Sequence, residues 1–244
     1  LCGVNKVYNI GGAQAIAAFA FGTKLIKKAD KVFGPGNQYV AEAKKQLFGF
    51  IGIDLPAGPS EVLVIANNKS NPSWIAYDVL AQGEHDPNAK TYVIAKNKNI
   101  LLKVKNELQR IMKETKLKNV DRSIKNNCYL ILAKSQKEIY EISNFIAPEH
   151  LHIHEKFNKN ILKNITNAGS VFLGEKSPVA LGDYTIGTNH VLPTDQTAKF
   201  ASGLGVEDYT KKTVFINPGN KTLKKIAKPT INLARQEGLE AHAL

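Results

Sequence analysis

Short β-branched runs and longer stretches with apolar residues near 3.6 spacing succeed one another along the chain. Ala13 to Phe21, after the Gly11-Gly12 pair, is a small, apolar, helix-favouring run. Lys31 to Phe33 reads as a short strand stopped by Gly34-Pro35-Gly36, with a helix from Asn37 to about Phe48. Glu61 to Ala66 (EVLVIA) predicts a strand, Pro72 to Glu84 a helix with Pro in its first turn, and Thr91 to Ala95 another strand. Asn99 to Lys116 predicts an amphipathic helix with Leu101, Leu102, Val104, Leu108 and Met112 on its apolar stripe. Cys128 to Leu132 is a strand, Ser135 caps a helix ending near Ile146, Asn160 to Asn167 is a short helix, and Ser170 to Leu173 is a strand. From about Gly203 the pattern changes to a β-like Thr213 to Ile216 and a Lys-rich helix from about Leu223 to Glu240.

Alternating strands and helices imply an α/β layered fold with mostly parallel strands. Ligands are then expected at the carboxyl ends of the strands. The Gly/Pro-rich loops are Gly34 to Asn37, Leu55 to Ser60, Ser177 to Asp183 and Gly187 to Pro193.

At 244 residues and 43% hydrophobic content the chain can bury a substantial core. There is no run of about 18 apolar residues and no signal-peptide pattern in the first thirty, which implies a soluble protein without a membrane partner. Cys2 and Cys128, far apart and without metal-site spacing, fit a reducing compartment, so a cytoplasmic protein is expected. The only methionine is Met112, so the chain is expected to be a fragment or a processed product. The net charge of +12 raises a nucleic-acid partner. Arg is confined to Arg110, Arg122 and Arg235, however, while Lys and Asn are spread throughout, which favours a solvated basic surface over phosphate recognition.

Three groups of residues could carry chemistry. Glu149 and His150, in Ala147-Pro148-Glu149-His150-Leu151, leave a helix end together, and this pair suits proton transfer near neutral pH. Gln82 and His85 lie three apart at a helix end. With Asp183 and His242 they would offer two nitrogens and two oxygens, compatible with Zn²⁺. His85 could equally cap its helix, and Asp183 serve as a turn residue. Gly34-Pro35-Gly36-Asn37 would favour an anionic ligand at a helix start, although it lacks the G-x-G-x-x-G fingerprint and could be an ordinary turn.

Eight segments in order, GGAQAIAAFAFGT (11–23), FGPGNQYVAEAK (33–44), DLPAGPSE (54–61), LAQGEHDP (80–87), APEHL (147–151), NAGSVFLG (167–174), GDYTIGTNHVLPT (182–194) and EGLEAHA (237–243), resemble the histidinol dehydrogenase family. The resemblance implies incomplete Rossmann-like layered domains. Residues 1–57 would be the end of a cofactor-side domain, 58–203 a second α/β domain with the metal and acid–base residues, and 204–244 a dimer-exchange segment. It implies NAD-dependent four-electron oxidation of L-histidinol through the aldehyde to L-histidine, with one Zn²⁺ per subunit. His150 and Glu149 match the acid–base pair, and Gln82, His85, Asp183 and His242 match zinc ligands that also hold substrate. Ser60 and Glu237 match further substrate contacts, and Gln14 and Asn37 match cofactor contacts. A homodimer is implied, with His242 and Glu237 completing the partner's site.

The chain departs from the family in lacking its upstream portion, and Gly83 stands where Ala is usual, which should loosen a helix end by up to ~1 kcal/mol. Two other readings compete. A zinc hydrolase with Glu149 as base would be indifferent to NAD⁺, and a basic nucleic-acid-binding module would be insensitive to changes at His85.

Overall fold

A computed structural model describes residues 3–55, 58–115, 120–155 and 159–244. By internal contacts it divides into two units, Leu1–Gly205 and Val206–Leu244. In the first, α1 (Gly12–Phe21) is followed by β1 (Lys31–Val32), α2 (Gln38–Leu47) and β2 (Gly52–Ile53), with β1 and β2 paired in parallel. Then come β3 (Glu61–Ile65), α3 (Pro72–Gly83), β4 (Lys90–Ala95), α4 (Lys98–Glu114), α5 (Val120–Asn127) and β5 (Cys128–Leu132). The unit continues with α6 (Gln136–Ile146), β6 (His150–Ile153), α7 (Lys159–Asn164), β7 (Ser170–Leu173) and the short α8 (Ala180–Tyr184).

The α/β class with mostly parallel sheets is as expected. β3 to β7 form one parallel sheet in the order β5-β4-β3-β6-β7, so the chain steps outward from β3 to one edge and then crosses back to the other side. All five residues of β3 are buried because both of its faces are covered. Val62 and Val64 pack under α3 and α4, while Leu63 and Ile65 pack with Ile139 and Tyr140 of α6 on the opposite face. Side-chain caps begin the helices: Asn71 for α3, Asn97 for α4 and Ser135 for α6.

Several expectations need correction. On α4 the buried stripe is Ile100, Leu101, Val104, Leu108 and Ile111; Leu102 is 46% exposed because it lies a third of a turn beyond Leu101. Lys116, the expected end of that helix, lies outside the described residues. The β-like residues 213–216 form no strand, having no strand alongside them in their unit to take up their backbone groups, and Phe215 is 92% exposed. In that second unit α9 (Asn220–Gln236) accommodates Pro229 and ends where Gly238 turns to φ +74°, so the expected run to Glu240 breaks before α10 (Glu240–Ala243). Among the described residues no helix is long and apolar enough to cross a membrane.

Gly83 has a reason the sequence does not show. A Cβ there would stand 2.8 Å from Ser123 Oγ of α5, and that hydroxyl donates to the Gly83 carbonyl at 2.8 Å. The glycine lets α5 close onto the end of α3.

Candidate functional site

The parallel β3–β6 pairing sets Val62 opposite His150 and thereby brings the backbone of Glu61 against the Glu149-His150 pair. Helix α6 ends because Ala147 adopts φ +49° and Pro148 cannot continue it; β6 then starts at once. Glu149 Oε2 accepts a hydrogen bond from Glu61 N at 2.9 Å. His150 Nδ1 lies 3.3 Å from the Glu61 carbonyl and 3.5 Å from Glu149 Oε2. Both neighbours are acceptors, so Nδ1 carries hydrogen, and the neutral ring keeps the Nε2 lone pair, 3.9 Å from Asp183 Oδ1. Burial works against charging this ring. The Glu149 hydrogen bond, the Glu149 and Asp183 charges and the Glu61 carbonyl outweigh it and hold His150 above the ordinary imidazole value.

Both residues line a cleft of about 150 Å³ together with Ser60, Gln82, His85, Asp183 and His190. Ser60 comes from the loop entering β3. Helix α3 must return from the carboxyl edge of the sheet to its amino edge between two parallel strands, and so delivers Gln82 and His85 there. Asp183 sits in α8 rather than in a loop. Its approach depends on Gly182, where a Cβ would lie 2.6 Å from the Phe172 ring of β7.

Gly34 and Pro35, just past β1, form the opposite wall with Asp54, just past β2. The Gly34 N–H donates to Asp54 Oδ2 at 2.6 Å, and the Gly34 carbonyl accepts from Lys44 Nζ. Lys44 Nζ also meets Asp54 Oδ1 at 2.5 Å, with both side chains 2% exposed. A buried ion pair therefore grips both backbone groups of one loop glycine. Asn37 caps α2, its Oδ1 accepting from Tyr39 N and Val40 N at 3.1 Å, which leaves Nδ2 as a donor. Neither Asn37 nor Gln14, exposed on α1, lines the cleft.

The expectation of a site at carboxyl strand ends is overturned for the large sheet. Ser60, Glu149 and His150 stand at the amino ends of β3 and β6, and only the two-stranded sheet contributes its carboxyl edge. Glu237 caps the C-terminus of α9, and His242 lies in α10; both are exposed and belong to the second unit.

Sequence reasoning missed Glu61, whose backbone brackets the acid–base pair. Its buried carboxylate is raised above the usual range by desolvation, partly offset by Lys90, 3.3 Å from Oε1. It also missed His190, Lys44 and Asp54. All four lie within the eight resembling segments; their role needs the register between distant strands and loops.

The chain matches the family model described as histidinol dehydrogenase over residues 1–244. It is 46% identical to histidinol dehydrogenase of Listeria monocytogenes serovar 1/2a over 244 residues, covering 100% of this chain and 57% of that protein. The Clostridium acetobutylicum protein of the same name is 45% identical with the same coverage. A crystal structure of histidinol dehydrogenase from Elizabethkingia anophelis superposes with a TM-score of 0.93 at 39% identity, covering 99% of this chain and 56% of that one. The chain thus spans little more than half the length of these relatives, and over that span it belongs to the histidinol dehydrogenase family.

Proposed function

We propose that the whole protein containing this chain is a cytoplasmic homodimer that oxidises L-histidinol through L-histidinaldehyde to L-histidine with NAD⁺, completing histidine synthesis. One observation carries this: Ser60, Gln82, His85, Glu149, His150 and Asp183, from distant parts of the sequence, meet in one cleft of a chain of this family.

The donors suit a zinc ion, since an amide oxygen, an imidazole and a carboxylate make a borderline-hard set with room for a fourth ligand. His242 is that ligand in this proposal, and with Glu237 it completes the site across the dimer. The braced Gly34-Pro35 turn, with Asn37 Nδ2 and Gln14, suits NAD⁺. Bound zinc would hold the substrate's amino and imidazole nitrogens, and bound NAD⁺ would accept a hydride in each oxidation.

His150 Nε2 takes the hydroxyl proton in the first oxidation, because its other nitrogen is tied to acceptors on Glu61 and Glu149. Glu149 takes a proton from the water that adds to the aldehyde. Its Oε2 is fixed by the Glu61 N–H, which orients the carboxylate without neutralising it. Ser60 is a hydrogen-bonding contact for substrate. A cleft near 150 Å³ suits a small polar molecule, well below the ~300–1,000 Å³ of drug-sized pockets.

The test is NADH formation from L-histidinol by the whole protein and its variants. Two NADH per substrate are expected, lost on chelation and restored by zinc. His150→Asn should cut turnover by about 10²–10⁴-fold with zinc retained, and His85→Asn should lose the zinc of the cleft and weaken substrate binding. Folded, zinc-loaded protein without NADH formation would refute the dehydrogenase in favour of a zinc hydrolase.

A further inference from the structure

Strand alternation turns His150, His152 and His154 of the β6 segment to the same side, towards α3. His150 belongs to the cleft, whereas the other two lie deeper, with Asp78 of α3. Asp78, His152 and His154 are 5%, 1% and 3% exposed, and one donor atom from each lies within 4.8 Å of the others.

His152 Nε2 is 2.9 Å from the Gly174 carbonyl, an acceptor, so Nε2 carries hydrogen. A neutral His152 then points the Nδ1 lone pair at Asp78 Oδ2, 2.5 Å away. Two lone pairs at that distance require a proton or a metal ion between them. The outer contacts are those of a ligand set: Gly174 fixes the His152 tautomer, and Asp78 Oδ1 accepts from Val179 N at 3.1 Å. His154 stacks at 4.3 Å between ring centroids, and neither of its nitrogens has a hydrogen-bond partner among the described residues. A groove lined by Trp74, Tyr77, Asp78, His152, Glu175, Lys176 and Pro178 gives an entry path.

We propose that Asp78, His152 and His154 form a second divalent-metal site, distinct from the cleft. Two imidazole nitrogens and one carboxylate oxygen select a borderline ion such as Zn²⁺. Metal–ligand bonds of about 2.1 Å place tetrahedral donors roughly 3.4 Å apart, so the Asp78–His152 contact opens and His154 closes by on the order of 1 Å. The ion clips α3 to β6 one helical turn from Gln82 and two strand residues from His150, and so braces the floor of the cleft.

The experiment uses the metal-free whole protein carrying His85→Asn, which disables the cleft's ligand set, titrated with Zn²⁺ and with Co²⁺. The expected result is one equivalent of zinc per chain, a rise in melting temperature, and a Co²⁺ absorption spectrum of a nitrogen/oxygen site. His154→Gln and Asp78→Asn in that background should each weaken zinc binding by about a hundredfold or more. Absence of zinc binding by the His85→Asn protein overturns the proposal and assigns a proton to the His152–Asp78 gap, as does unchanged affinity in folded His154→Gln. The His85→Asn titration needs no change at the buried cluster to fold. Zinc bound by the wild type and lost in His85→Asn would support the cleft site alone; two equivalents in the wild type, one in His85→Asn and its weakening on adding His154→Gln would support both sites.

Discussion

Asp54→Asn tests whether the buried Lys44–Asp54 pair holds the cofactor-side wall of the cleft. The asparagine can still accept from Gly34 N, the contact that Asp54 Oδ2 makes at 2.6 Å, so the change isolates the charge. It strands Lys44, 2% exposed and 2.5 Å from the carboxylate, without a counter-ion. Removing one partner of a buried pair costs about 3–5 kcal/mol, mostly through the charge left behind. Because one backbone contact survives, we expect the lower end, about 3 kcal/mol, with the NAD⁺ KM raised more than kcat falls as the Gly34 loop loosens. Lys44→Met leaves the carboxylate with Gly34 N and should cost a similar amount. The double variant removes both charges and should be less destabilised than the sum, by roughly 1–3 kcal/mol of coupling. Urea denaturation midpoints at constant m, with NAD⁺ and histidinol kinetics on the whole protein, supply these values. Additive single effects, or a loss under about 1 kcal/mol for Asp54→Asn, would show that Gly34 is held by something other than the ion pair.

Three further outcomes follow from the same geometry. His150 has its folded value raised above 6.5, so its stabilising contribution is complete below the unfolded value and fades as pH rises through the folded one. As a base it acts when neutral, so kcat/KM should climb through that raised value; in Glu149→Gln the midpoint should fall, and an unchanged or higher midpoint would remove Glu149 as its cause. Gly169→Ala would put a methyl 2.5 Å from the Glu149 carbonyl oxygen, and should cost about 1–3 kcal/mol. Displacing the acid–base pair should also lower turnover about 100-fold, and wild-type kinetics would mean that the strand start gives way harmlessly. Gly83→Ala should destabilise by about 1 kcal/mol despite better helix propensity, because of Ser123, and adding Ser123→Ala should cost less in the Gly83→Ala background than in the wild type in thermal melts, since it relieves the clash while removing the hydrogen bond to the Gly83 carbonyl.

Much of the architecture was legible because it is written in local terms. The alternation of periods predicts β5 and β7 at their observed bounds, and the first-turn Pro72 and the Ser135 cap place helix starts within a residue or two. Where the pattern misled, neighbours decided. Residues 213–216 have strand composition and no strand alongside, while β2 is two residues long and exists through its pairing with β1.

The candidate site divides in the same way. The residue types, their order and the resemblance come from the chain alone, since Glu149-His150 and Gln82 with His85 are close in sequence. The bracketing of Glu149 and His150 by the Glu61 backbone rests on contacts spanning 88 and 89 residues, and the Asp78–His152 contact spans 74. Such separations leave no local periodicity. A carboxylate and an imidazole become an acid–base pair, or a ligand cluster, once a parallel sheet sets which strand start lies beside which helix turn, and that register is a property of the packed layers.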